Sequence, residues 1–394
     1  MSQKLKTQIG IIGAGPAGLM LAHFLDKMGI ESIVLENKSR DYVENRIRAG
    51  LLEQNTVDYL KEIDVADNLL EKGLLHEGVN FSFDGERIHI PFGELTGGRN
   101  ITIYGQRFVV RDLIRTRLER GGEIRFEAEA TKITDIDADQ PKIYFTEDGE
   151  EKILECDFVA ACDGYHGVGR ETLPTESYRR HDIHYPFSWL GIMANAAPSS
   201  DELIYSYHKD GFALLSYRSP TVSRLYLQVD NDDDIDNWSD DRIWDNLHKR
   251  LAYTGWTLNE GEITQKGITP MRSYMIDHMQ HKKLFVAGDA AHIVPPTGGK
   301  GLNLAVADVK IMSKAFEDFY KNNSTEKLDN YSSDAMRRVW RAQGFSNFMT
   351  TQFHKQYEHG SYEYLLQKAN FDYIAMSTAM KTTVAENYVG LKHI

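Results

Sequence analysis

Residues 8–36 read QIGIIGAGPAGLMLAHFLDKMGIESIVLE, and this run decides the fold. A short apolar strand over residues 8–12 enters Gly13-Ala14-Gly15-Pro16-Ala17-Gly18. An amphipathic helix follows over residues 17–28, and a second apolar strand over residues 32–35 ends at Glu36. Strand, helix and strand within about 30 residues make a βαβ unit, which implies a parallel sheet. The glycines permit a tight turn, close approach of a pyrophosphate to bare backbone, and helix–strand packing. The acid can hold a ribose hydroxyl. A lone GxGxxG is weak evidence, but this context favours dinucleotide binding over an incidental glycine turn. It leaves NAD and FAD open. Gly13, Gly15, Pro16, Gly18 and His23 interrupt the apolar run, so a strand and turn explain it better than a signal peptide.

Two later segments bear on the same question. Residues 284–305, LFVAGDAAHIVPPTGGKGLNLA, read as a buried strand, a Gly-Asp turn, a loop and a helix opening near Gly301. Such a passage gathers a carboxylate, bare backbone N–H groups and a positive helix end. Residues 162–170, CDGYHGVGR, follow another apolar strand. Alone, they are equally well explained by a structural turn, with Asp163 capping and Gly164 at positive φ.

A chain of 394 residues can hold one large domain or two to three smaller ones. A net charge of −13 argues against nucleic-acid binding, which needs a broad basic face. Two cysteines, Cys156 and Cys162, suit a reduced, cytoplasmic protein. No run of about 20 apolar residues is present to span a membrane. Residues 50–63 and 109–118 show helical periodicity, while residues 78–103 and 123–161 alternate. Residues 185–229 are the richest in strands and suggest a separate sheet. The acidic stretch at 230–236 reads as a solvated turn rather than a Ca²⁺ loop, whose ligand spacing is missing. His181/His184 and His278/His281 are spaced by three but fall in expected polar turns without further ligands, so no metal is predicted. Residues beyond 305 are mainly helical.

GAGPAG, CDG and AGDAAHIVPPTGGKGLN, in that order, resemble the group A flavoprotein aromatic hydroxylases over nearly the whole chain. The resemblance implies a mixed α/β (α+β) fold. Residues 1–178 would be a Rossmann-like FAD-binding domain, with substrate-domain elements around 76–104. A β-rich substrate domain would be inserted at 179–271. Residues 272–394 would complete the FAD site and supply a helical C-terminal region for a homodimer. The resemblance assigns FAD to Gly13, Gly15, Ala17, Gly18, Glu36, Arg46, Arg48, Gln106, Asp163, Asp289, Gly298, Leu302 and Asn303. The helix near Gly301 would point its positive end at the flavin pyrimidine.

The substrate is read from the strand-rich middle. Alternation places Leu214, Ser216 and Arg218 on one face. A Ser hydroxyl and a forked Arg can grip one carboxylate, and Tyr226 on the paired strand adds a third donor. Without the flavin motifs, Arg218 in a surface ion pair is the better reading. The segments ELIYSYH, GFALLSYRS, SRLYLQV, AAHIVPPTG and AENYVG narrow the resemblance to members that hydroxylate 4-hydroxybenzoate at the 3-position with NAD(P)H and O₂. It implies that Ser216, Arg218 and Tyr226 bind the carboxylate and that Tyr205 meets the phenol oxygen. Tyr388 would bond Tyr205, His76 would be the solvent end of a proton relay, and the Pro296 carbonyl would line the oxygen-reaction site. A phenol that loses its proton becomes a better nucleophile at the ortho carbon, and a Tyr–Tyr–His chain can remove that proton while excluding bulk water. Rival readings are a hydroxylase of 4-aminobenzoate or a dihydroxybenzoate, and a non-catalytic FAD-binding redox sensor.

The chain has no second GxGxxG for a nicotinamide cofactor. Lys38, Arg40, Arg46, Arg48, His166 and Arg272 are the candidate NAD(P)H contacts. Asn37 stands where NADPH-preferring members tend to have Arg, but Lys38 or Arg40 can meet a 2′-phosphate, which leans the reading slightly to NADPH. Tyr217 also departs from the family. It sits on the strand face opposite the clamp, where packing is expected.

Overall fold

The computed structural model describes residues 4–391, apart from 47 and 49. Strands Ile9–Ile12 and Ser32–Leu35 are joined by helix Pro16–Met28 and pair in parallel, Ile12 opposite Leu35. They are central in a six-stranded sheet. Phe158–Ala161 and Leu284–Val286 lie on one side and Glu123–Arg125 on the other, all parallel. Because Ile12, Ala161 and Val286 are in register, the GAGPAG, CDG and Gly-Asp loops leave the same sheet edge side by side. Ligands of open parallel sheets bind outside the carboxyl ends of the strands. All residues of Ile9–Ile12 and Phe158–Ala161 are buried, as expected for strands covered on both faces.

A second sheet of eight strands stands apart from the first. Its backbone is the long antiparallel pair Arg180–Asn195 and Glu262–Ile276, followed by Val222–Val229, Ala213–Ser219 and Ile204–Tyr207. Gly78–Phe83, from much earlier in the chain, adds in parallel to Ile204–Tyr207. Helix Tyr331–Phe353 ties the layers together: its Val339 and Ala342 belong to the core of the first, and Phe345, Met349 and Phe353 to that of the second. No helix of the described residues is long and apolar enough to cross a membrane.

The structure corrects two local expectations. Residues 50–63 are not one helix. Leu51–Glu53 is a strand paired antiparallel with Ile101–Ile103, and the helix begins at Gln54. Leu51 and Leu52 gain more by cross-strand burial than by joining the helix face. His181 and His184 lie within strand Arg180–Asn195 rather than in a polar turn.

Gly18 marks where helix and strand press closest. A Cβ there would lie 2.0 Å from the Gly13 carbonyl oxygen. Gly18→Ala should therefore cost about 1–3 kcal/mol through overpacking, measured by denaturant unfolding. Two fully buried histidines set an acid limit. His23 bonds the Leu113 carbonyl at 2.9 Å, and burial pushes its pKa down to about 4. Burial likewise pushes His354 down to about 3. From about pH 6.5 downward the unfolded chain binds protons that these folded imidazoles refuse, so their stabilisation is present above 6.5 and is lost as pH falls through 4. Urea midpoints should drop over that window, and His23→Gln should flatten the drop.

Candidate functional site

The three loops at the sheet edge form a cleft with a specific steric logic. Gly13 has φ +102°, and a Cβ on it would meet the Cys162 carbonyl at 2.4 Å, so its bareness lets the first two loops abut. Gly15, by contrast, has open space beside it, where a ligand can approach the backbone. Glu36 accepts from the Ala14 N–H at 2.8 Å and the Lys38 N–H at 2.9 Å, which leaves lone pairs for a ribose. In the third loop, Asp289 is exposed between buried Gly288 and Ala290 and feels the cations Arg46 and Arg48. Ala17 is buried at the helix start, Gln106 opens helix Gln106–Glu119, and Leu302 lies in the first turn of Gly301–Asn322. An open glycine face, a flanked carboxylate and a helix N-terminus fit the phosphates and ribityl chain of an FAD.

Two predicted cofactor residues turn out to be engaged elsewhere. The Asp163 carboxylate accepts from the Gly169 N–H at 2.8 Å and so holds the start of the short helix Val168–Thr172. A Cβ on Gly167 would fall 2.0 Å from the Asp163 carboxyl carbon, so the glycines there make room for this cap. Burial pushes Asp163 up to about 6. The Asn303 side chain is committed to the Glu53 N–H, the Thr56 hydroxyl and the Leu51 and Gly299 carbonyls, leaving only its backbone for a ligand.

On the second sheet, Ser216 stands opposite Arg224, and Leu214 opposite Tyr226. Ser216 is buried and donates to the Arg224 carbonyl at 3.0 Å. Arg218 and Tyr226 are half-buried. Burial alone would raise the Tyr226 phenol, but the Arg218 and Arg224 cations outweigh it and lower the pKa. Tyr205 is buried, donates to the Thr297 carbonyl at 2.8 Å, and its oxygen meets the Tyr388 hydroxyl. Burial pushes both phenols upward. Pro296 is exposed beside buried Thr297, in the turn Pro296–Gly298, so Tyr205, Tyr388 and the turn come together.

His76 departs from its expected place. It is not at solvent but fully buried, with neither ring nitrogen bonded. Its ring stacks on Tyr217 at 5.0 Å between centroids. Burial first, then the Arg218 cation, pushes His76 down to about 4. The nicotinamide candidates sit on separate elements. Lys38, Arg48 and His166 are exposed, and Arg40 pairs with Glu44 at 2.6 Å. Arg272 is held by Asp182 at 2.9 and 2.7 Å and by the Tyr165 hydroxyl at 2.6 Å, so it carries its own counter-ion.

Sequence reasoning missed three groups. Glu53 is buried between Lys300 (2.8 Å) and Arg338, and Lys300 also donates to the Tyr388 carbonyl at 2.9 Å. Against the upward push of burial, Arg338 and Lys300 hold Glu53 below the usual carboxylate range. Lys300 in the loop GGKGLN was the one visible signal. Asp308, buried in helix Gly301–Asn322, accepts from the Gly288 N–H at 3.0 Å and pairs with His292 at 2.6 Å, and so fixes the Gly-Asp turn from behind. His354 accepts from Trp189 Nε1 at 2.6 Å, while its Nδ1–H donates to the Thr350 carbonyl at 2.8 Å. Trp189 in turn packs on Tyr226.

Comparison with known proteins agrees with this geometry. The model of an FAD binding domain family matches residues 6–346. The chain belongs to this family of FAD-dependent aromatic hydroxylases. It is 44% identical over 392 residues to p-hydroxybenzoate hydroxylase of Acinetobacter baylyi, covering 99% of this chain and 97% of that protein. It is also 25% identical over 313 residues to a 3-(3-hydroxy-phenyl)propionate/3-hydroxycinnamic acid hydroxylase of Escherichia coli, covering 76% of this chain and 54% of that one. Among solved structures, p-nitrophenol 4-monooxygenase of Pseudomonas putida superposes with a TM-score of 0.79 at 19% identity, covering 99% of this chain and 100% of that one, a likeness of fold. The chain is an FAD-dependent monooxygenase, mixed α/β, with FAD as its cofactor.

Removing the central carboxylate would leave two cations buried without a partner. Glu53→Ala should cost about 3–5 kcal/mol, read as a lowered urea midpoint, whereas Arg338→Ala, which leaves Glu53 still paired with Lys300, should cost less.

Proposed function

We propose that the chain hydroxylates 4-hydroxybenzoate at the 3-position: 4-hydroxybenzoate + NAD(P)H + H⁺ + O₂ give 3,4-dihydroxybenzoate + NAD(P)⁺ + H₂O. The observation that carries this reading is the paired hydroxyls of Tyr205 and Tyr388, buried in an apolar core. Two linked phenols are suited to receive a phenolic proton, and an amine would make poorer use of them. The 44% identity to a p-hydroxybenzoate hydroxylase supports the same substrate. At the other end of the ring, Arg218 and Tyr226 bind the carboxylate, and Ser216 joins them once its hydroxyl turns from the Arg224 carbonyl. Bound FAD takes electrons from NAD(P)H and activates O₂. The chain's own work is to orient the ring, draw off the phenolic proton and exclude water. Gly13, Gly15, Gly18, Glu36, Gln106, Arg46, Arg48 and Asp289 hold the cofactor, and the turn at Pro296, whose carbonyl also accepts from the Gly299 N–H at 2.9 Å, would line the oxygen-reaction site. NADPH is the slightly favoured reductant, met by Lys38 and Arg40.

The reading extends to organisation. Residues 1–178 act as the FAD-binding unit, 179–271 as the substrate unit, and 272–394 complete the cofactor site. Helix Tyr362–Met376 carries an apolar stripe in which Tyr362 and Met376 are 72% and 81% exposed, with Leu365, Leu366 and Tyr373 between them. A second copy of the chain covering that stripe makes the protein a homodimer. The free thiols of Cys156 and Cys162 suit the cytoplasm.

Anaerobic stopped-flow reduction of the holoenzyme tests the substrate. 4-Hydroxybenzoate should accelerate flavin reduction by NADPH or NADH, and no acceleration with either reductant would refute the assignment. Arg218→Ala should weaken 4-hydroxybenzoate binding by about 2–5 kcal/mol in a flavin-fluorescence titration. Tyr205→Phe should retain binding but consume NAD(P)H without stoichiometric product.

A further inference from the structure

His76 and Tyr217 form a contact that the proposed reaction does not by itself require. His76 ends the three-residue edge strand Leu74–His76, where its neighbour Leu75 is 55% exposed, so solvent lies close by. Yet the imidazole is fully buried, and neither Nδ1 nor Nε2 has a hydrogen-bond partner. A buried ring with both nitrogens idle is unfavourable, and a purely structural histidine normally has at least one bonded, as His23 and His354 do. What covers His76 is the Tyr217 ring, stacked on it with planes 23° apart. Tyr217 is half-buried, and its hydroxyl donates to the Asp201 carbonyl at 3.1 Å, in an exposed bend.

Tyr217 also sits at an irregularity of the backbone pairing. The pairing of Ala213–Ser219 with Val222–Val229 shifts register between Tyr217 and Ser219. Such bulges re-aim side chains and loosen local pairing. Arg218, which holds the carboxylate in the proposed function, lies inside this same irregularity. Its cation is the charge that His76 feels. A carboxylate seated on Arg218 therefore cancels the charge that opposes a proton arriving at His76.

Building on the proposed 4-hydroxybenzoate reading, we propose that Tyr217 is a positioning residue that caps the proton relay: its ring closes His76 from water, and the phenolic proton reaches solvent only when that ring swings away. The transfer balances without any further reagent. The substrate O–H gives its proton to Tyr205 as Tyr205 passes its own to Tyr388; Tyr388 in turn gives up its own toward His76, whose two ring nitrogens are free to take it, and His76 passes a proton to water, with the substrate left as a phenolate. The cap keeps water out of the site between turnovers and opens at the end of the relay, away from the ring and the cofactor.

The test is stopped-flow mixing of the holoenzyme with 4-hydroxybenzoate in weakly buffered solution, following proton release with an indicator dye and phenolate formation by absorbance. Tyr217→Ala should speed proton release roughly 3- to 10-fold, the range set by the strength of one aromatic stack, with the Kd for 4-hydroxybenzoate unchanged. Tyr217→Phe, which keeps the ring and loses the Asp201 bond, should fall between Ala and wild type and guards against misfolding of the Ala variant. His76→Asn should slow release in both the wild-type and the Tyr217→Ala background. Unchanged release in both Tyr217 variants, with His76→Asn still slow, would overturn the cap and leave the relay standing. Normal release in His76→Asn would overturn the relay and the cap together. Failure to bind 4-hydroxybenzoate at all would sink the substrate reading and this proposal with it.

Discussion

The buried carboxylate of Glu53 is the constraint on which the rest of the site depends. It is 1% exposed and faces two cations, Lys300 and Arg338. Each comes from a different part of the chain: a short strand, the residue that precedes helix Gly301–Asn322, and helix Tyr331–Phe353. Burying three ions is costly, and such a cluster holds only if every member keeps its partners. Lys300 meets that demand by also bonding the Tyr388 carbonyl. The cluster thus fixes the position of Tyr388 relative to the helix that opens at the cofactor cleft. Gly390 shows how tight this junction is, since a Cβ there would lie 2.3 Å from Glu53 Oε2. With two cations to one anion, the cluster adds a net positive charge beside a helix N-terminus that is itself positive.

A second junction, at Thr297, joins relay to cleft. Its carbonyl accepts from Tyr205, and its hydroxyl donates to that of Thr350 in helix Tyr331–Phe353, whose own proton goes to the Ser346 carbonyl. A phenol has one proton to give. While Tyr205 gives its own to Thr297, the Tyr388 hydroxyl must be the donor in their shared contact. Outward transfer requires the reverse polarity, with Tyr205 donating to Tyr388. The hydrogen bonds of the pair therefore run inward, and in the proposed relay a substrate phenol would have to turn the Tyr205 O–H away from the Thr297 carbonyl. The same turn that carries Pro296 also sets the resting direction of the protons.

What could be read from the sequence follows from the range of the forces involved. GAGPAG and Glu36 were legible because their meaning is local: tight turns, bare backbone and a fixed spacing to the next strand end. The strand that carries Ser216 and Arg218 was legible because alternation is a two-residue rule. Asp163 was ambiguous for the same reason, since capping and ligand binding ask for the same residue in the same turn. In the structure one carboxylate oxygen caps the Gly169 N–H at 2.8 Å while the other has no partner, so the cap does not exclude the ligand. The Glu53–Arg338 pair spans 285 positions, so no periodicity in either segment announces it. Leu51 and Leu52 were misread as helical because the strand they pair with, Ile101–Ile103, lies about fifty residues on.

Tyr217 shows where local rules and tertiary contacts part. Alternation puts it on the face away from Ser216 and Arg218, and a side chain on that face is expected to pack. It does pack, but the surface it packs against is His76, brought there by an edge strand of a different sheet. In the proposed cap, packing and control are the same contact, because the ring stacked on the imidazole hinders its exchange of protons with water. The register shift that re-aims Tyr217 also holds Arg218, so a change in the backbone at one bears on the other.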